Sequence, residues 1–193
     1  GSKELVSGIP RLLGLPAGST VVLPRVAYPT YAVGAVVAGC EYVATDEPET
    51  VEGAALVWLN SPGNPTGTVL APERAAEIVA WARETGAVVV SDECYIELGW
   101  DAEPVSVLHP SVCGDSHDGV LALHSLSKRS NLAGYRFGFV AGDPALIDDL
   151  LAVRKHLGMM VPTPVQHAAI AAFDDDAHVE VQKAAYGTRR AVL

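Results

Sequence analysis

The sequence predicts an α/β domain, a mostly parallel sheet with helices on both faces. Three observations carry this. Short Val-rich apolar runs alternate along the chain with stretches of helical character. The runs are continuously apolar rather than alternating, which is the pattern of strands buried on both sides. Several of them end in polar clusters, NSPGNPTG (60–67), SDECY (91–95) and HSLSK (124–128), which parallel strands would deliver to one carboxyl edge.

The elements follow in order. The first helix is predicted over 3–14, with Ser2 as its cap and Gly14 as its stop. STVVLP (19–24) is a short β-branched strand, YPTYAVGAVVAG (28–39) has helical spacing, and CEYVATD (40–46) reads as strand. AALVWLN (54–60) is a strand that runs into a dense turn cluster. APERAAEIVAWARETG (71–86) is an amphipathic helix with Pro72 near its start and Gly86 at its end. AVVVSDE (87–93), GVLALHS (119–125) and YRFGFVAGD (135–143) are strands, and 144–158 and 164–173 are helices. Asp174, Asp175 and Asp176 read as a solvated helix boundary rather than a metal site. The chain opens on Gly1 directly in a helical pattern and stops inside another, so we expect the middle of a longer protein.

Composition narrows the function. With 193 residues, the chain is long enough for one domain with a sizeable core, and 49% hydrophobic residues argue against disorder. The net charge of −10 argues against a nucleic-acid partner, which calls for a basic footprint. No apolar run reaches the roughly 20 residues of a membrane helix, and no signal-peptide pattern opens the chain. Three widely spaced cysteines without a CxxC argue against a disulfide framework or zinc site and fit a reducing cytoplasm. The histidines show no HExxH or paired spacing, so no metal is expected.

The polar clusters carry the chemistry. Asn64 lies in a Pro/Gly turn, and Asp92 ends a buried strand with Tyr95 three residues on. Lys128 follows a strand end, with Ser125 and Ser127 before it and Arg136 after it, and Ser2 and Lys3 open a helix. An imine-forming lysine, a buried acid, a phenol, an amide and a phosphate cradle are the groups that pyridoxal 5′-phosphate demands. A nicotinamide-binding domain is disfavoured, because no strand is followed by GxGxxG.

GSKE, YPTY, NSPGNPTG, SDECY and SLSKRSNLAGYRFG, in this order over essentially the whole chain, resemble the fold-type I aminotransferases of class I/II. PRVAYPTYAVGAVVAGCEYV and SKRSNLAGYRFGFVAGD, with KHLGMMVPTPVQ, are most similar to the actinobacterial succinyldiaminopimelate aminotransferases. The resemblance implies a three-layer α/β/α fold around a mostly parallel, mixed sheet, truncated at both ends. Residues 1–175 would be the cofactor-binding large domain without its first strand, and 176–193 the start of the small C-terminal domain. The edge beside 135–143 would then be unpaired.

The resemblance also implies roles. Lys128 would hold pyridoxal 5′-phosphate covalently and act as general base and acid. Asp92 would pair with the pyridinium nitrogen, Tyr95 and Asn64 would bond the ring oxygen, and Tyr28 would stack on the ring. Ser2, Lys3, Ser125 and a buried Arg136 would hold the phosphate. Structural readings stand beside these: a plain cap for Ser2 or Asp92, an Asx-turn for Asn64, core packing for Tyr28. Ser127 has a structural or a phosphate role, and Glu93 and Glu97 are surface or supporting groups. The arginine that clamps the substrate carboxylate is not assigned to Arg189 or Arg190. The implied activity is transamination of N-succinyl-LL-2,6-diaminopimelate with 2-oxoglutarate and glutamate, in lysine biosynthesis, by a cytoplasmic homodimer without nucleic-acid or membrane partners. A C–S lyase, cyclase or decarboxylase on the same scaffold, or a non-catalytic effector-sensing domain, are the alternatives. These residues by themselves are expected to be a weak or inactive catalyst.

Overall fold

Successive residues of a strand face opposite sides of a sheet, and this sorts the core into two halves. The computed structural model describes residues 1–193. Its strands are β1 (Thr20–Leu23), β2 (Glu41–Ala44), β3 (Ala54–Asn60), β4 (Val88–Asp92), β5 (Val120–Ser125) and β6 (Gly138–Gly142). They form one sheet in the order β2-β1-β3-β4-β5-β6, parallel from β2 to β5, with β6 antiparallel to β5.

Leu23, Leu56, Trp58, Val90, Leu121 and Leu123 face one side. There α1 (Ser2–Leu12), α2 (Thr30–Val37) and α6 (Pro144–Arg154) cover them. Val22, Val57, Leu59, Val89, Val120 and Ala122 face the other, under α3 (Pro72–Thr85) and the short α4 (Pro110–Cys113). The result is the expected three-layer α/β/α arrangement around a mixed sheet. The remaining helices are α5 (Leu126–Arg129), α7 (Thr163–Phe173) and α8 (Ala177–Arg190). Residues 174–176 lie between α7 and α8, with Asp176 at the cap of α8. No helix is long and apolar enough to cross a membrane.

Local signals explain most boundaries. Pro72 opens α3, and Gly86 closes it in the left-handed conformation at φ 79°. Asp143 caps α6 by accepting the Ala145 N–H at 2.8 Å. Three expectations need correction. Gly1, not Ser2, takes the cap position of α1, and Ser2 is already helical. The helix expected to reach 158 ends at Arg154, because Leu157 and Met160 meet no core and stay exposed. The strand expected from 135 starts at Gly138, because Ala133–Tyr135 form a 3-10 turn and Arg136 is left-handed at φ 54°. Gly138 is squeezed at that start: a Cβ there would stand 2.7 Å from the Ser2 nitrogen and 2.9 Å from the His124 carbonyl oxygen. The start of β6 and the first turn of α1 can therefore touch only through glycine.

Candidate active site

Parallel strands deliver their last residues to one edge. Asn60 and Asp92 are register partners at the ends of β3 and β4, and Ser125 ends β5. By alternation these three side chains point to the α1 side of the sheet. The N-terminus of α1 stands over that edge with Ser2 and Lys3, and Tyr28 arrives from the loop between β1 and α2. With Asn64, Tyr95, Lys128 and Arg136 they line one cavity of about 240 Å³. Every site residue singled out from the sequence is thus brought to the same place. A second cleft, about 280 Å³, lies beside Val57, Leu59 and Ile78, and Asp46 is its one ionisable side chain.

Asp92 is 7% exposed and both its oxygens are engaged. The Tyr31 hydroxyl donates to Oδ2 at 2.9 Å and the Cys94 amide to Oδ1 at 3.2 Å. Tyr31 is fully buried and stacks on Trp58, with ring centroids 4.8 Å apart. Burial and the neighbouring Asp92 carboxylate push the Tyr31 phenol far above its ordinary range, so it remains a donor. The same two causes raise the Cys94 thiol, which donates to Ser2 Oγ at 3.2 Å. Burial alone would raise the Tyr28 phenol, but its interactions with Lys3 and Thr30 outweigh that and lower it. Lys3 Nζ lies 5.6 Å from the centre of the Tyr28 ring.

Asn60 builds the turn that carries Asn64. Its side-chain nitrogen donates to the Asp92 carbonyl at 2.9 Å, and its oxygen accepts the Asn64 N–H at 2.7 Å. The Asx role considered for Asn64 therefore belongs to Asn60, and the Asn64 side chain is left to line the cavity. Ser125 caps α5 through the Ser127 N–H at 3.1 Å and donates to the Phe137 carbonyl at 3.3 Å. Lys128 is exposed to the cavity, its Nζ 5.7 Å from the centre of the Tyr95 ring.

Arg136 is exposed rather than buried, and its guanidinium donates to the Ala133 carbonyl at 2.8 Å. The left-handed turn before β6 swings it out of the sheet and over the cavity. Glu93 departs in the opposite sense. It is 2% exposed, on the α3 side, where Oε1 accepts the Val107 N–H at 2.7 Å and Oε2 lies 3.3 Å from His124 Nε2. Burial raises its carboxyl. Tyr31, Asn60 and Cys94 are the site residues that sequence reasoning missed. YPTY held a signal for Tyr31, a large aromatic in the first turn of a helix of otherwise small and apolar residues.

Three cations, Lys3, Lys128 and Arg136, surround the cavity, and no ion pair in the structure uses any of them. The amides at the start of α1 add partial positive charge. The donor set fits an anionic ligand with a phosphate, and Asp92 offers one carboxylate to a cationic atom on its far side. That is the demand of pyridoxal phosphate.

Comparison with known proteins agrees. The model of the family described as aminotransferase class I and II matches residues 1–193. The probable aminotransferase Rv1178 of Mycobacterium tuberculosis is 57% identical over 100% of this chain and 47% of its own length. The 4-dedimethylamino-4-oxo-anhydrotetracycline transaminase OxyQ of Streptomyces rimosus is 58% identical over 100% of this chain and 54% of its own. The solved structure of N-succinyldiaminopimelate aminotransferase from Mycobacterium tuberculosis is 25% identical with a TM-score of 0.87, covering 98% of this chain and 53% of that one. The chain spans about half the length of the curated relatives it matches.

Proposed function

The chain belongs to the class I and II aminotransferases, whose members use pyridoxal phosphate, and from that premise we propose that the whole protein transfers an amino group from an amino acid to a 2-oxo acid. The observation that carries this is the cavity with three uncompensated cations and one buried, doubly bonded carboxylate. When bound, the cofactor supplies an electron sink that acidifies the substrate α-carbon.

The chain's own residues do the rest. Lys128 would hold the cofactor, and its Nζ would carry the proton to and from the substrate α-carbon. Asp92, oriented by Tyr31 and the Cys94 amide, would keep the ring nitrogen protonated. Asn64 and Tyr95 would hold the ring oxygen and Tyr28 would pack against the ring. The first turn of α1, Ser2, Lys3, Ser125 and Arg136 would hold the phosphate by amide donors, hydroxyls and charge. Residues 1–175 form the cofactor-binding domain and 176–193 begin a second one, in a cytoplasmic homodimer.

For the substrate we propose N-succinyl-LL-2,6-diaminopimelate, with 2-oxoglutarate and glutamate as partners in lysine biosynthesis. The likeness to the mycobacterial N-succinyldiaminopimelate enzyme supports it. The higher identity to OxyQ favours a second reading, a polycyclic ketone as amino acceptor. The test uses the whole protein loaded with pyridoxal phosphate. Glutamate should bleach the visible absorbance, the true acceptor should restore it, and Lys128→Ala should lose both. Cofactor binding without any bleaching by amino donors would overturn transamination in favour of another reaction or a sensing role.

A further inference from the structure

The residue after Lys128 points away from the cavity, toward the joint between α7 and α8. Arg129 is 7% exposed. Its Nε donates to Glu97 at 2.8 Å, Nη1 to the Ala172 carbonyl at 2.6 Å, and Nη2 to Asp176. The Phe173 ring centre lies 5.1 Å from the guanidinium carbon. A buried cation thus uses every nitrogen, and two of its partners flank the α7–α8 joint.

The next two residues continue the contact. Ser130 Oγ meets His178 Nε2 at 2.8 Å, and Asn131 Oδ1 accepts the Tyr186 hydroxyl at 3.0 Å. Three consecutive residues therefore hold α8 and its cap. α8 buries one residue, Val179, so its seat is largely polar. The same three residues are tied back to Lys128. The Ser130 and Leu132 amides both donate to the Leu126 carbonyl at 3.2 Å, and Asn131 takes the left-handed φ of 53° that asparagine tolerates. Residues 126–132 form one hydrogen-bonded turn, with the lysine inside it and the α8 contacts on its far side.

We propose that Arg129, with Ser130 and Asn131, is a positioning ledge through which the seating of α8 sets where the Lys128 amine stands in the cavity. This rests on Lys128 being the reactive amine. Arg129 touches neither the cavity nor a ligand and acts through its neighbour.

The test compares Arg129→Gln and Asp176→Asn in the whole protein. Asp176 has a side chain 84% exposed, so its variant should fold even if Arg129→Gln does not. Both variants should bind pyridoxal phosphate, judged by visible absorbance, and keep the parental KM for the amino donor. Their kcat should fall on the order of tenfold, less than the roughly hundredfold that a full 1 Å misplacement of a reacting group can cost. Hydrogen exchange of the cofactor-free protein should quicken at the 126–132 amides, across a separation of 47 residues from Asp176. If Asp176→Asn leaves either kcat or that exchange at the parental value, the ledge does not position the lysine. If the parent binds no cofactor, it is the functional reading that fails, not the ledge.

Discussion

The sheet core and the last quarter of the chain are held differently. α1 buries Leu5, Val6, Ile9 and Pro10, and α3 buries Ala75, Ile78, Val79 and Ala82. By contrast α6, α7 and α8 bury one residue each, Leu150, Ala169 and Val179. They leave Leu151, Ile170 and Val181 more than half exposed. Leu146 and Ile147 of α6 and Phe173 of α7 add only partly buried apolar contacts, and ion pairs supply much of the rest: Arg154 with Glu4, Arg129 with Asp176, Arg190 with Asp101. Packing fixes position over many contacts at once, whereas polar ties are few and directional. The candidate site stands on the packed region, and its lysine turn touches the loosely seated one.

That contrast can be broken by measurement. The largest effect is expected in the packed region. Trp58 is buried and supports Tyr31, so Trp58→Ala should cost about 3–5 kcal/mol in denaturant unfolding. A loss below about 1 kcal/mol would mean that the centre is not close-packed. Tyr31→Phe comes next. It leaves Asp92 Oδ2 without its buried donor and should cost about 1–3 kcal/mol, with weaker cofactor binding in titration. Unchanged stability and binding would show that Tyr31 does not orient Asp92.

A smaller effect is expected at Glu93 and has a sign. Its carboxyl is raised above the ordinary 4.5 by burial, so its contribution to stability is complete below that value. The contribution is lost as pH climbs through the raised value. The Tm of the parent should fall over that window, and that of Glu93→Gln should fall less. Parallel curves would place the Glu93 carboxylate in water. The smallest change belongs to the loose region: Ile170→Ala should stay within about 0.5 kcal/mol of the parent. A cost like that of Trp58→Ala would erase the distinction between the two regions.

Much of the fold was legible. The strands at 54–60, 87–93 and 119–125 and the helix at 71–86 follow from apolar runs, Pro72 and Gly86, and the structure places them within a residue or so. α4 was missed, because PSVC is too short to show a period. The strand-like residues around Arg136 predict its place at the site but also its burial, and the left-handed turn at 136 is what leaves it exposed there. Residue type suggests a surface or supporting role for Glu93, whereas strand alternation sends it to the buried side opposite Asp92.

By itself the sequence determined which segments are strands and helices, the order of the motifs and the cofactor they suit. These are local properties, written in residue type and period over a few neighbours. Tertiary structure alone decided the partners: Tyr31 for Asp92 across 61 residues, Arg129 for Asp176 across 47, and Glu93 for the Val107 amide across 14. Periodicity tells which face of an element is apolar. It does not tell which polar group of another element will stand within 3 Å of it, because that depends on how the layers pack.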